Sequence, residues 1–361
     1  MKQYLLPFLL LFYTSCRPVA SSPEENVQQD STALVQITDT LPAPQVKSSL
    51  YYWKTIFQLS EADKQFIHDH QIGRIYVRFF DVDNNSDRLE DKAPSPIATV
   101  IFKERPLANL EIVPTVFITN EAMKEMGKTD TTTQMYAQKI AKRVFTMVQT
   151  NDIQNVHEIQ IDCDWTQTSQ SAFFTLLKEL RKIAHEHQIR LSATIRLHQL
   201  TLPVPPVDRG VLMCYNTGNF SDRNTTNSII DYQDILPYGP FLKDYLLPID
   251  IAYPTYSWGL WFKDKQFKGI LKEVDYENRT LYKPVEKNLF RVQTNHYKGS
   301  SFLEAGDIIR YEISPVAEIN KVKKLLEPEI SNKNYSVILY HLDMNNLLKY
   351  SHDEIKSFYN R

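Results

Sequence analysis

Beyond Leu50 the chain alternates between two hydrophobic patterns. Short runs of apolar or alternating residues give way to longer runs whose apolar positions recur every three to four residues. The short runs predict strands at Leu50–Lys54, Arg74–Phe80, Glu111–Thr119, His157–Asp164, Arg190–Leu197, Gly210–Asn216, Leu247–Tyr253 and Tyr335–His341. The longer runs predict helices over Ser60–His70, Thr131–Thr150, Ser169–His187, Pro315–Leu326 and Ser351–Tyr359, with a partly helical stretch at Asp231–Tyr245. Ser60 has the right place and chemistry for an N-cap. In the Ser169–His187 segment, Phe173, Leu176, Leu177, Leu180, Ile183 and Ala184 form one apolar face.

Eight strands, most of them followed by a helix, predict an α/β fold: a (β/α)8 TIM barrel. The alternative, a doubly wound open sheet, calls for a glycine-rich turn after an early strand. None is present, and the chain has only 9 glycines in 361 residues. One segment breaks the rhythm. Between Trp261 and Ser314, Leu289–Gln293 and Asp307–Glu312 alternate like strands, so a β-rich insertion at about 262–314 is expected after strand seven.

The start of the chain reads differently. Lys2 is followed by an almost wholly apolar stretch from Leu5 to Tyr13, then Thr14-Ser15-Cys16. A basic start, a short apolar core and small residues before a cut make a secretory signal, and the stretch is too short to span a bilayer. Cys16 falls where a lipid-bearing cysteine would, and the segment resembles the looser lipobox of Bacteroidetes-type lipoproteins, with Tyr13 where Leu is usual. That resemblance implies cleavage before Cys16, lipidation of Cys16, export and anchoring in the cell envelope, at the outer membrane. Residues 17–48 are polar, rich in Ser, Pro, Gln, Glu and Asp, and lack periodicity. They are expected to be a disordered tether with a root-mean-square reach of roughly 30 Å. The globular domain is then 49–361, and a monomer is expected.

Net charge is −2, which leaves no electrostatic footprint for nucleic acid. Only Cys163 and Cys214 remain after Cys16, each inside a predicted strand, so both read as small buried apolar residues. No motif calls for a metal or a cofactor.

The chemistry of a (β/α)8 barrel lies at the carboxyl ends of its strands. Strand four ends in Ile161-Asp162-Cys163-Asp164-Trp165-Thr166. Alternation puts Gln160, Asp162 and Asp164 on one face and Ile159, Ile161 and Cys163 on the other. The polar set is expected to point into the barrel mouth. Two carboxylates there need partners, and Arg78 and Arg196 stand at matching strand ends. Spacing alone leaves two readings open: a structural ion network, or a pair with split pKa values for acid and base work.

These residues resemble the strand-four motif of the family 18 glycoside hydrolases, the chitinase-like barrels: Asp162, Asp164 and Trp165 match that motif, and Met213-Cys214-Tyr215-Asn216 resembles the same family's strand-six MxYD. The pairing of DxD at strand four with MxY at strand six also resembles a group of bacterial barrel lipoproteins. The resemblance implies a carbohydrate or envelope polymer as partner. It departs from the family at the catalytic acid, whose position is taken by Thr166, and at Asn216, where the family has Asp. Thr166 cannot protonate a glycosidic oxygen, so hydrolysis would need another acid. Asp162 and Asp164 are the catalytic candidates, with Asp81, Asp83 and Asp343 as possible partners. Asp343 shares strand parity with His341, and the two form a candidate orienting pair. His198 is expected to join Thr194 and Arg196 on one face. Trp53, Trp165 and Trp258 stand at strand ends, and Tyr256 and Trp258 crowd the exit of strand seven. Trp165 and Trp258 are expected to offer flat platforms to sugar rings, with Arg78, Arg196 and Tyr215 orienting the ligand. The open alternative is a degenerate barrel that binds glycan or assembles envelope without cutting.

Overall fold

A computed structural model describes residues 45–84 and 93–359. The expected signal, Cys16 and most of the expected tether lie outside these residues. Eight parallel strands close into a barrel: β1 (Gln45–Tyr52), β2 (Arg74–Asn84), β3 (Glu111–Ile118), β4 (Glu158–Asp162), β5 (Arg190–Arg196), β6 (Arg209–Met213), β7 (Ile249–Pro254) and β8 (Asn334–Tyr340). Each pairs with the next, and β8 pairs back onto β1. The main intervening helices are α1 (Glu61–Asp69), α2 (Asp130–Thr150), α3 (Gln170–Glu186) and α4 (Val316–Leu326), and α5 (His352–Phe358) closes the chain. Ser60 caps α1 in a reciprocal capping box with Asp63.

The period-two pattern divides the interior into two cores. Outward residues such as Leu50, Ile75, Val77, Ile112, Ile159, Ile161 and Ile195 pack under the helices in one large cluster. Inward residues Tyr51, Tyr76, Val113, Val211, Met213, Tyr215, Ala252 and Ile338 fill the barrel axis as a separate cluster. Cys163 and Cys214, one residue beyond β4 and β6, are buried free thiols.

The strand edges differ from expectation in three places. β1 starts at Gln45, so the barrel takes in residues expected in the tether. β4 stops at Asp162, close to where its partner β3 ends at Ile118. β2 runs on to Asn84 through a bulge: Arg78 pairs with Thr115, and Phe80 pairs with the very next residue, Val116. One extra residue reverses the alternation beyond it. Phe79 and Phe80 are therefore both buried, and Asp81 turns inward beside Arg78.

The insertion is an antiparallel five-stranded sheet in the order 266–271, 258–263, 308–312, 289–292, 282–284, with a small hairpin at 296–303. It starts at Trp258, ahead of the expected boundary.

The amino end of the barrel is closed by charge. Arg74 opens β2, and its guanidinium meets Glu111 of β3 at 2.9 Å, Glu158 of β4 at 3.5 Å and Asp250 of β7 at 3.9 Å. Arg209 of β6 reaches Asp250 at 2.8 Å, and the Ser336 amide of β8 donates to the same carboxylate at 2.6 Å. Burial raises the carboxyl pKa values of Glu158 and Asp250, and the arginines oppose that shift. Removing one partner from such a network leaves buried charge uncompensated. Arg74→Met is expected to lower the unfolding free energy by about 3–5 kcal/mol. Urea titration of the variant checks it; a loss under about 1 kcal/mol would mean the floor carries little of the stability.

Candidate active site

A cleft of about 680 Å³ opens over the carboxyl ends of the strands, between the barrel mouth and the insertion. Its acidic wall comes from β4. The inward ladder predicted for that strand is present. Gln160 is buried and accepts from the Tyr51 hydroxyl at 2.8 Å. Asp162 stands one step higher, accepts from the Thr194 hydroxyl at 2.7 Å and lines the cleft. Asp164, just past the strand end, is half exposed and ion-paired with Arg196. The two carboxylates thus share a face but not an environment. Burial pushes the Asp162 carboxyl up to about 6; nearby Arg196 works against this, and Asp164 and Asp81 add to it.

Arg78 does not serve the β4 carboxylates as expected. The bulge in β2 gives it Asp81 as its partner, with Nε to Oδ1 at 2.6 Å, and its guanidinium lies 5.7 Å from the Trp53 ring centre. Arg78, Asp81 and Trp53 all line the cleft. Asp83 takes the Thr119 hydroxyl at 2.6 Å and does not line it.

Two expected ligand residues are elsewhere. Trp165 is fully buried, packed against Phe173 and Phe174 of α3. Because β4 ends at Asp162, alternation no longer aims the side chains that follow. Trp165 turns under the helix while Gln199 Nε2 donates to its carbonyl at 2.9 Å. His198 is exposed on a 3-10 turn over 197–201 that begins where β5 stops, so it leaves the face of Thr194 and Arg196. Thr166, at the family's acid position, is also exposed and bonds to Thr168.

The other candidates converge. Tyr215, Asn216, Tyr256 and Trp258 line the cleft. The Tyr256 hydroxyl donates to Asn216 Oδ1 at 2.5 Å. Asn216 sits at φ +54°, a left-handed conformation that asparagine tolerates better than most residues. His341 and Asp343 also reach the cleft but do not form a pair. Asp343 caps the short helix at 344–347, accepting from the Asn345 amide at 3.2 Å and from Asn346 Nδ2 at 2.7 Å. Burial holds the His341 imidazole down to about 4, so it is neutral near pH 7, and its Nδ1 has no hydrogen-bond partner.

Sequence reasoning missed Tyr340, whose ring lies 5.1–5.9 Å from those of Tyr51, Trp53, Tyr215 and Tyr256. Its inward parity with Ile338 was the available signal. It also missed Lys272, Glu273, Tyr276 and Tyr311 of the insertion, for which no sequence pattern points to the cleft. Among the described residues, no three His, Cys, Asp or Glu side chains converge as a metal would require.

Comparison with known proteins places the fold. The chain is similar to the chitinase from Chromobacterium violaceum, with a TM-score of 0.53 and 11% identity over 88% of this chain and 99% of that one. It is similar to the Group IV chitinase of Ostrinia furnacalis, with a TM-score of 0.52 and 12% identity over 88% of this chain and 100% of that one. It is also similar to the spore cortex-lytic enzyme SleL of Bacillus megaterium, with a TM-score of 0.51 and 12% identity over 87% of this chain and 75% of that one. No family model matches the chain, and no curated protein matches it by sequence. At such identities the likeness establishes the barrel fold. The resemblance read from β4 and β6 holds at that level.

Asp162 makes stability depend on pH. Its carboxyl titrates near 6 in the folded protein against an ordinary 3.8. Between those values the folded state keeps a proton that the unfolded chain has lost, so stability falls as pH rises through this window. The fall is expected to be up to about 3 kcal/mol. Asp162→Asn should remove it, leaving a flatter profile between about pH 4 and 6. Thermal melts across that range check this; an unchanged slope would remove Asp162 as its source.

Proposed function

We propose that the protein is an exported lipoprotein, held to the cell envelope through lipid on Cys16, that acts on a glycan in the barrel-mouth cleft. The observation that carries the catalytic part is the contrast between two carboxyls on one face. Asp162 is buried, with its pKa raised to about 6, whereas Asp164 is half exposed and held beside Arg196. Two carboxyls in unlike environments are what acid–base cleavage of a glycosidic bond requires. In this reading Asp162 carries the transferable proton and Asp164 remains ionised. Asp164 then serves as the base or charge-stabilising partner, and Arg196 sets its orientation. The aromatic lining of Trp53, Tyr256, Trp258 and Tyr340 suits the flat C–H faces of sugar rings. The printed activities of the similar structures, chitinase and cortex-lytic enzyme, agree with a polymeric sugar as substrate.

A second reading has its own support. Asp81 and Asp164 are each engaged by an arginine, and Thr166 is exposed and bonded to Thr168. Such a site would hold glycan without cutting it. A panel of polysaccharides and peptidoglycan, tested with the full chain and with Asp162→Asn and Asp164→Asn, separates the two. Hydrolysis that drops about 100-fold or more in Asp162→Asn supports the acid role. With the acid titrating near 6, kcat should decline as pH rises above that value. Turnover that survives both substitutions would remove the assignment, and binding without turnover favours the holding role. For the anchor, Cys16→Ser is expected to move the protein from the membrane fraction to the soluble fraction. Retention in the membrane would refute anchoring through Cys16.

A further inference from the structure

The insertion sheet contains a buried ion pair that the acid–base reading does not use. Strand 308–312 runs antiparallel to strand 258–263, with Glu312 directly opposite Trp258 and Arg310 opposite Leu260. Arg310 and Glu312 are two residues apart and share a face, with side chains 1% and 0% exposed. Glu312 Oε1 accepts from Arg310 Nε at 2.7 Å. Its Oε2 accepts from Trp258 Nε1 at 2.8 Å and from the Ser228 hydroxyl at 2.6 Å. Arg310 donates to the carbonyls of Asp222 and Phe220 at 2.6 and 3.3 Å and lies over the Phe262 ring.

An ion pair buried this deeply is a poor way to add stability, because desolvation offsets most of the attraction and apolar packing would serve as well. It does supply geometry. Its partners come from three segments: the loop after β6, the exit of β7 and the insertion strand. Of the side chains it bonds, Trp258 is the one that lines the cleft. The indole N–H is turned onto Glu312. On another side Tyr256 packs at 5.3 Å with its ring 66° to the indole, and Tyr256 is itself held by Asn216. With its polar edge occupied, the indole offers the cleft apolar surface in a fixed orientation. That surface suits a pyranose with equatorial substituents, whose C–H bonds form a flat apolar face.

We propose that Trp258 is the platform of a pyranose subsite on the insertion side of the cleft, and that Glu312 and Arg310 are its positioning residues. This rests on the reading of the cleft as a glycan site. The subsite is distinct from the β4 carboxylates, and it gives the insertion a role in recognition.

The test uses the full chain labelled with 5-fluorotryptophan, whose four tryptophans give four fluorine signals. Trp258→Phe identifies one of them. Glu312→Gln is expected to shift the Trp258 signal without any sugar present, because an amide cannot hold both the guanidinium and the indole as the carboxylate does. Ser228→Ala removes one donor from the same oxygen and leaves the ion pair, so it should cause a smaller shift in a protein that still folds. Adding chitopentaose should move the Trp258 signal. Trp258→Ala should weaken calorimetric affinity about tenfold or more, as expected for an aromatic contact returned to water. Trp258→Phe should retain most of the affinity. The subsite is overturned if chitopentaose binds while the Trp258 signal stays still and Trp258→Ala binds as the parent does. The positioning role is overturned if neither Glu312→Gln nor Ser228→Ala moves the sugar-free signal. If chitopentaose, cellopentaose and peptidoglycan fragments all fail to bind the parent, the glycan reading and the subsite fall together.

Discussion

The barrel depends on a buried guanidinium. Arg74 at the start of β2 is surrounded by carboxylates from β3, β4 and β7, and Arg209 adds β6 to the group. Charges withdrawn from water tolerate few arrangements, because each must meet a partner of opposite sign at short range. The network therefore constrains the relative register of the strands at their amino ends. Strands rise about 3.3 Å per residue, so register set at the floor dictates what arrives at the mouth. On β4, Glu158 belongs to the floor and Asp162 and Asp164 to the cleft. A one-residue slip would exchange those carboxylates for Ile161 and Cys163.

At the mouth the same physics produces a different result. The cleft admits solvent on one side, so Asp164 shares Arg196 with water while Asp162, one step deeper, does not. Depth along a single strand is enough to separate their protonation. Arg78 is withdrawn from this group by Asp81, leaving Arg196 as the cation paired with the β4 acids. The opposite wall is aromatic and polar and comes largely from outside the repeating β/α units, so recognition and proton chemistry rest on different parts of the chain.

Most of the barrel was legible because period-two alternation survives wherever a strand has two neighbours. The inward set of Gln160, Asp162 and Asp164 followed directly from it, as did the separate packing of Ile159 and Ile161. Reading failed where regular pairing stops. Trp165 and His198 were projected along strands that had already ended, at Asp162 and Arg196, and both turn away from the cleft. Asp81 was named as a candidate, but its partner was not foreseen: residues three apart on a regular strand face opposite ways, and only the bulge after Arg78 brings them together. His341 and Asp343 share strand parity, yet β8 ends at Tyr340 and Asp343 is taken up by a helix cap. Lys272 and Tyr276 carry no mark in the sequence because a long-range fold places them.

The start of β1 has a directional consequence. Gln45 pairs with Asn334 at the floor of the barrel, and the cleft opens at the far end of the same strands. Everything ahead of Gln45 therefore joins the molecule at the end opposite its working face. If that segment is fastened to a surface, any tension along it pulls on the floor and leaves the mouth facing outward. A soluble fragment diffusing past would then meet the opening before the surface, whereas a polymer lying flat against that surface would meet the closed end. The point of attachment thus selects among glycans by where they lie, independently of the chemistry that recognises them.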